Sequence, residues 1–97
     1  MAWYGGRKTP GVFKDVLPAW NDENLRQLSQ HVKSNLFFAH VRATTGTGVS
    51  RANCHPYTYG KWSFMHNGQI GHWTQLRRDI ESMIATKYYS HRFGTTD

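Results

Sequence analysis

The sequence has little that would place it in a membrane or in an oxidising compartment. Cys54 is its single cysteine, which excludes an internal disulfide and makes a reducing, cytoplasmic setting the expectation. No apolar run approaches the ~20 residues that a transmembrane helix needs. Residues 1–6 lack the basic and apolar regions of a signal peptide. We therefore predict a cytoplasmic protein that has no membrane partner.

Acidic residues are also few. Six Asp and Glu stand against twelve Lys and Arg, and the net charge is +6 at pH 7. Such a balance permits binding to nucleic acid. However, the basic residues are scattered and no run exceeds two, whereas nucleic-acid-binding arms concentrate them. The pattern favours a basic surface without a nucleic-acid partner, and a nucleic-acid-binding domain is the least favoured hypothesis.

The chain nevertheless has the apolar content of a folded domain, because 38% of its residues are hydrophobic. Helical spacing predicts helices over 22–33, capped by Asn21 or Asp22, and over 73–86. Arg77, Arg78, Asp79 and Glu81 are placed on the solvated face of the second helix. These two helices, together with the strands, predict an α+β domain.

Alternation predicts strands over residues 36–43 and 62–66, with a short strand candidate at 12–14 and a turn at 59–61. The strand at 36–43 begins with apolar residues on both faces, so we expect it to be buried on both sides. Residues 3–6 are typical of a strand and turn whose partner strand is missing.

Polar side chains follow the first predicted strand. Arg42 lies at its end, on the same face as His40, and a guanidinium is the natural clamp for a carboxylate because it donates two parallel hydrogen bonds. The loop at residues 44–48 adds hydroxyls and backbone N–H groups. A salt bridge between Arg42 and a local acid explains the motif equally well.

Asn67-Gly68 follows the second strand. This pair is the strongest short signal for a β-hairpin turn, although the next segment has helical spacing. The alternative is an oxyanion hole, in which the Asn67 amide and the Gly68 N–H would point at a developing negative oxygen.

The histidines and the cysteine do not have the spacing of a zinc site, so neither a metal nor another cofactor is expected. We expect His40 and His66 to lie inside the sheet layers with hydrogen-bonded rings. Cys54 is interpreted as a buried small side chain. A Cys54 thiol activated by His55 is disfavoured because neighbouring side chains on a loop seldom point together.

Four segments, in this order, resemble the motif series of the class II glutamine amidotransferases. They are His-Val-Arg-Ala-Thr-Thr at 40–45, Asn-Cys-His-Pro at 53–56, Phe-Met-His-Asn-Gly-Gln-Ile at 64–70 and Gly-Thr-Thr-Asp at 94–97. The nearest branch is the stand-alone bacterial type-2 group, which is similar to the ergothioneine-pathway amidohydrolase. The resemblance spans nearly the whole chain.

The resemblance implies the N-terminal-nucleophile hydrolase fold, a four-layer αββα sandwich. This chain would be a fragment of it, with antiparallel strands and two helices. Arg42 would bind the α-carboxylate of glutamine with help from Thr45, and Asp97 would pair with the α-ammonium. Asn67 and the Gly68 N–H would form the oxyanion hole. The complete enzyme would hydrolyse the γ-amide of glutamine, or of a γ-glutamyl compound, through a cysteine thioester.

One departure from the family pattern concerns the nucleophile. The family uses an N-terminal cysteine after the initiator methionine, whereas Ala2 follows Met1 here. We therefore expect residues 1–97 to be a partial domain, lacking the nucleophile segment and the C-terminal part, and inactive alone. The alternative is a non-catalytic module that binds glutamine or a γ-glutamyl compound, or docks on a partner. A second copy of the chain and a synthase subunit are both open as partners.

Overall fold

The computed structural model describes residues 1–43 and 48–97 of the chain. These residues form two compact units, Met1–His66 and Asn67–Asp97. Each unit is described by itself. In the described residues, no helix has both the length and the apolar character required to cross a membrane.

The first unit is built around a three-stranded antiparallel sheet. Strand β1 (Ala2–Tyr4) lies between β2 (Gly11–Val12) and β3 (Leu36–Phe38). Ala2 is opposite Val12 on one side and Phe38 on the other. The prediction that residues 3–6 lack a partner strand is therefore wrong. Their neighbours come from positions 8 to 36 residues away in the chain, which a local pattern does not reveal.

A glycine allows β1 and β2 to pack closely. The indole of Trp3 lies over Gly11, and a Cβ atom at position 11 would lie under 3.0 Å from the ring. Because the neighbouring atoms belong to a bulky ring rather than to the end of a flexible chain, only glycine fits here without a shift.

Helix α1 (Glu23–His31) begins at the predicted cap. The Asp22 carboxylate accepts a hydrogen bond from the Leu25 N–H at 3.0 Å, which satisfies one of the free donors of the first turn. The helix ends when Val32 becomes extended, two residues before the predicted end. A 3₁₀ turn, Ala19–Asn21, leads into the cap.

Strands β4 (Tyr57–Tyr59) and β5 (Trp62–Phe64) form a hairpin. Its two-residue loop confirms the predicted turn, and Gly60 takes a φ of 54°, which glycine adopts without strain. The Tyr4 hydroxyl donates to the Lys61 carbonyl at 2.8 Å and lies 3.0 Å from Ser63 Oγ. This side chain thus joins the two sheets of the unit.

Both predicted strands are shorter in the structure, since β3 ends at Phe38 and β5 at Phe64. The burial predicted for β3 is also wrong: Leu36 is 55% exposed and Phe37 60% exposed. Among the described residues, the apolar side chains that are fully buried are small, such as those of Ala2 and Pro56. Apolar residues on both faces of a strand show that it is suited to burial on both sides. Burial itself requires other layers of structure to pack against those faces.

The second unit contains helix α2 (Trp73–Ser82) and the short helix α3 (Thr86–Tyr89). The single helix predicted over 73–86 therefore ends at Ser82, and α3 is a further helix that was not predicted separately. Glu81 accepts from Arg77 Nε at 2.8 Å and also pairs with Arg92. The Glu81 side chain is only 14% exposed, because Arg92 from the tail covers it. The prediction that Glu81 lies on the solvated face of the helix is therefore wrong.

Candidate functional site

A cavity of about 300 Å³ lies in the first unit, at the end of β3. Arg42 and His40, which follow β3, line one part of it, and Cys54 and His55 line another. The latter two come from the loop between the 3₁₀ turn Arg51–Asn53 and β4. The guanidinium predicted to clamp a carboxylate is therefore part of a concave site, and Arg42 is half-buried there.

His55 is the most buried titratable group in this cavity lining apart from Asp22, since it is 8% exposed. Its ring meets the ring of His40 edge-on, with centroids 4.4 Å apart, and that of Tyr57 at 4.6 Å. Within the described part of the chain, neither ring nitrogen of His55 has a hydrogen-bond partner, nor does His40 Nδ1. The hydrogen-bonded ring expected for His40 is thus wrong at Nδ1.

Burial is the main cause that lowers the pKa of His55 below its usual value of 6.5. Nearby positive charge adds to this effect, contributed in order by His40, His66, Arg42 and Lys14. The imidazole is accordingly neutral at physiological pH. It offers the cavity one N–H donor and one acceptor nitrogen.

Cys54 differs from its predicted state, because it is partly exposed rather than buried. Its thiol lies 3.4 Å from the Asp15 carbonyl and 3.3 Å from the Ser50 carbonyl, and donates towards them. Cys54 and His55 do line the same cavity, but the His55 nitrogens, which have no described partner, do not bind the thiol. The pair is not arranged as a nucleophile and its base.

The cavity lining carries two basic side chains, Lys14 and Arg42, and two acidic ones, Asp15 and Asp22. Lys14 follows β2 in the sequence, outside the predicted motifs, and its Nζ atom is 5.2 Å from the centre of the Tyr57 ring. The two acids of the lining have other roles. Asp15 pairs with Arg51 at 3.2 Å, and a hydrogen bond from the Val16 N–H is the main cause that lowers its pKa. Asp22 caps α1.

Asn67 and Gly68 lie in the second unit, exposed, on the segment that precedes α2. The hairpin interpretation of this pair is wrong because a helix, not a returning strand, follows. Asp97 comes close to the same segment: its carboxylate accepts a hydrogen bond from the Ile70 N–H, and the Thr96 hydroxyl lies 3.2 Å from its other oxygen. Trp73 Nε1 donates to the Thr95 carbonyl at 3.3 Å, which holds the tail at the start of α2.

The structure thus brings three predicted residues, Asn67, Gly68 and Asp97, to one end of the second unit. Arg42 belongs to the first unit. Thr45 lies outside the described residues. Sequence reasoning missed Lys14 altogether, because only the fold places residue 14 against the loop and strand at 54–57. Over residues 1–43 and 48–97, no group of three or more His, Cys, Asp or Glu could hold a metal ion.

Comparison with known proteins gives consistent results. The family model described as "Glutamine amidotransferases class-II" matches residues 1–90. The probable glutamine amidotransferase DUG3 of Saccharomyces cerevisiae is 44% identical over 88 residues, which are 91% of this chain and 25% of that protein. A glutamine aminotransferase class-II domain protein from Silicibacter pomeroyi has a solved structure that is 44% identical, with a TM-score of 0.83.

The alignment with that structure covers 99% of this chain and 39% of that one. The chain therefore spans well under half the length of these two relatives. The α+β prediction is confirmed by the same structural match. Because the family model covers most of the chain and a curated relative is 44% identical, the chain belongs to the class II glutamine amidotransferases.

Proposed function

We propose that residues 1–97 form the substrate-binding part of a glutamine amidotransferase. The complete protein would hydrolyse the γ-amide of glutamine, or of a γ-glutamyl compound, through a cysteine thioester. The observation that carries this proposal is the half-buried Arg42 in a cavity of a chain that matches the family over residues 1–90. The N-terminal-nucleophile hydrolase sandwich and a cytoplasmic location are part of the same proposal.

Arg42 would bind the α-carboxylate of the substrate, and Thr45 would assist. Asp97 would take the α-ammonium. A zwitterionic amino acid needs one cation and one anion, and these two side chains supply them. The hydrogen bond from the Ile70 N–H holds the Asp97 carboxylate in one position, which lowers the entropy lost when a ligand binds.

Asn67 and Gly68 would stabilise the tetrahedral intermediate. A side-chain amide and a backbone N–H can both donate to an oxyanion, and such donors act most strongly when they are fixed before the reaction. Both residues are accessible to a ligand, because they are exposed on the segment before α2.

We further propose that these 97 residues bind substrate without turning it over. Cys54 is their one cysteine, and its thiol donates to two backbone carbonyls rather than to a base. In the described part of the chain, a thiol with these partners has no side-chain base to take its proton, and nucleophilic cysteines rely on such a base.

Binding of L-glutamine to the purified chain, measured by calorimetry, tests the clamp. We expect Arg42→Ala to weaken binding at least about tenfold, since a charge-assisted hydrogen bond contributes about 1.5–3 kcal/mol. Arg26→Ala is the matched control, because Arg26 is an exposed arginine paired with Glu23 on α1. Equal affinity of the Arg42 variant and the unmodified chain would contradict the proposal.

Release of ammonia from glutamine tests the proposal that these residues bind substrate without turning it over. We expect no rate above that of the Cys54→Ser variant. Turnover by the unmodified chain that disappears in Cys54→Ser would show that Cys54 is a nucleophile after all and would refute this part of the proposal.

Docking on a partner is a second candidate function, favoured by the exposed aromatic side chains of the hairpin. Trp62 is 68% exposed and Phe64 60%. A second copy of the chain or a synthase subunit could cover such a surface.

A further inference from the structure

We propose that Arg92 and Glu81 are positioning residues for Asp97. Their ion pair fixes the tail of the second unit, residues 90–97, along α2, and the fixed tail presents the Asp97 carboxylate at the segment that precedes this helix. This inference rests on the proposed function, because it assumes that Asp97 binds the α-ammonium of the substrate.

Three contacts join the tail to α2 and to the segment before it. They pair Arg92 with Glu81, the Thr95 carbonyl with Trp73 Nε1, and the Asp97 carboxylate with the Ile70 N–H. As the tail advances towards Asp97, its partners move from the last turn of α2 to the start of the helix and then beyond it. The tail therefore runs antiparallel to α2, and Arg92 is the anchor of these three that lies farthest along the chain from the carboxylate.

The ion pair of this anchor is sheltered from solvent. The Glu81 side chain is 14% exposed and that of Arg92 is 22% exposed, whereas Glu23 and Arg26 on α1 are 64% and 62% exposed. Exposed ion pairs contribute little because water and salt screen them, and a partly buried pair is screened less. Arg77 Nε lies 2.8 Å from the same oxygen of Glu81 and fixes this carboxylate from within its own helix.

Polar contacts, rather than burial of apolar surface, hold the tail. Its one large apolar side chain, Phe93, is 75% exposed. The hydrogen bond between Trp73 and Thr95 is exposed and 3.3 Å long, which exceeds the usual range. The Arg92–Glu81 pair is charge-assisted and 2.5 Å long, so of these two contacts it is the stronger restraint.

The position of the tail matters because substrate recognition requires a fixed spacing. The proposed function places the amide oxygen of glutamine at Asn67 and Gly68 and its α-ammonium at Asp97, and the Ile70 N–H that binds Asp97 comes two residues after Gly68. A tail released from α2 would move the carboxylate relative to the oxyanion donors. A mobile carboxylate would also lose more conformational entropy when it binds the ammonium. Arg92 therefore acts through Asp97, without itself touching the ligand.

The test compares two ligands that differ only in the α-ammonium. They are L-glutamine and 4-carbamoylbutanoate, which has the same carboxylate and amide but no amine. Calorimetry with the full 97-residue chain gives the ratio of the two dissociation constants. The unmodified chain should bind glutamine at least about tenfold more tightly, because of the charge-assisted contact with Asp97, and Asp97→Asn should bring the ratio close to one.

Variants of Arg92 test the positioning role. Arg92→Met removes the charge but keeps an unbranched side chain, and it should lower the ratio about two- to tenfold, the range expected when a group must be ordered on binding. Arg92→Lys should keep most of the ratio, because an ammonium can also pair with Glu81. Arg78→Met is the matched control: Arg78 is an exposed arginine of α2 outside the three tail contacts, and its loss should leave the ratio unchanged.

Circular dichroism should show that each variant is folded. A folded Arg92→Met variant with the ratio of the unmodified chain would overturn the inference. A variant that weakens the binding of both ligands equally would also overturn it, since Arg92 would then support the fold and not the ammonium site. If the unmodified chain itself does not distinguish the two ligands, the assignment of Asp97 in the proposed function fails first, and the positioning role fails with it.

Discussion

His55 illustrates how a single residue couples a cavity to pH. Its imidazole is buried between His40 and Tyr57, and after burial itself the neighbours that lower its pKa are basic groups: His40, His66, Arg42 and Lys14. Protonation would place another cation in this group. The folded state therefore binds the His55 proton less well than the unfolded state does.

The pH dependence of stability follows from this difference. Since the pKa of His55 is lowered from 6.5 on folding, its contribution to stability is fully present above about pH 6.5 and is lost as the pH falls towards the folded value. We expect the free energy of unfolding from urea titrations to fall with acidification below pH 6.5, by up to about 1.4 kcal/mol per pH unit from this group.

The variant His55→Gln serves as the control, since it has no titrating ring. It should flatten the profile between pH 7 and pH 5. The exposed His31, replaced in the same way, should not change it. Identical slopes for the unmodified chain and His55→Gln would show that another group is responsible.

At the scale of elements, the helices depend on polar contacts at their ends and sides. Asp22 is 4% exposed and caps α1. On α2, Glu81 pairs with Arg77 of the same helix and with Arg92 of the tail. Neither helix has a fully buried residue. Local hydrogen bonds and ion pairs therefore carry a larger share of helix stability than they do where an apolar face is buried.

Replacement of the cap tests this view. We expect Asp22→Ala to lower the free energy of unfolding by about 1 kcal/mol, because the Leu25 N–H loses its acceptor. Asp22→Asn should recover most of the loss, since an amide oxygen also caps. Thermal unfolding followed by circular dichroism measures both, and an Asp22→Ala variant as stable as the unmodified chain would contradict the prediction.

At the scale of the whole molecule, many large apolar side chains of the described residues are exposed. Phe37, Trp62 and Phe64 are each at least 60% exposed. Large contiguous apolar patches on soluble proteins usually mark contacts with other protein surfaces. The net charge of +6 opposes self-association at low salt, because like charges repel.

We therefore expect the chain to associate as the salt concentration rises. Light scattering should report a mass near 11.2 kDa at low ionic strength and a larger mass at high salt, where the repulsion is screened. Phe64→Glu should shift the equilibrium towards the monomer. Thr58→Glu adds the same charge at an exposed position of β4 and should shift the equilibrium less. Equal shifts in the two variants would indicate that the added charge, and not the loss of the Phe64 ring, prevents association.

Several features of the site could be predicted from the sequence because they depend on local chemistry. A helix cap at Asn21 or Asp22, the turn at Gly60 and the α+β class all follow from side-chain type and spacing over a few residues. The four ordered motifs also indicated the family. These predictions need no knowledge of which distant segments meet.

Other features were decided by the tertiary structure alone. The partners of β1, the closeness of Asp97 to the Ile70 N–H, and the presence of Lys14 beside Tyr57 join positions 8 to 43 residues apart. The tertiary structure also decided which residues are buried. Strand β3 has apolar residues on both faces yet is largely exposed, whereas His55 is buried although its ring nitrogens have no hydrogen-bond partner in the described residues. Alternation and spacing describe one element at a time, whereas burial and cavities are made by the elements that pack around it.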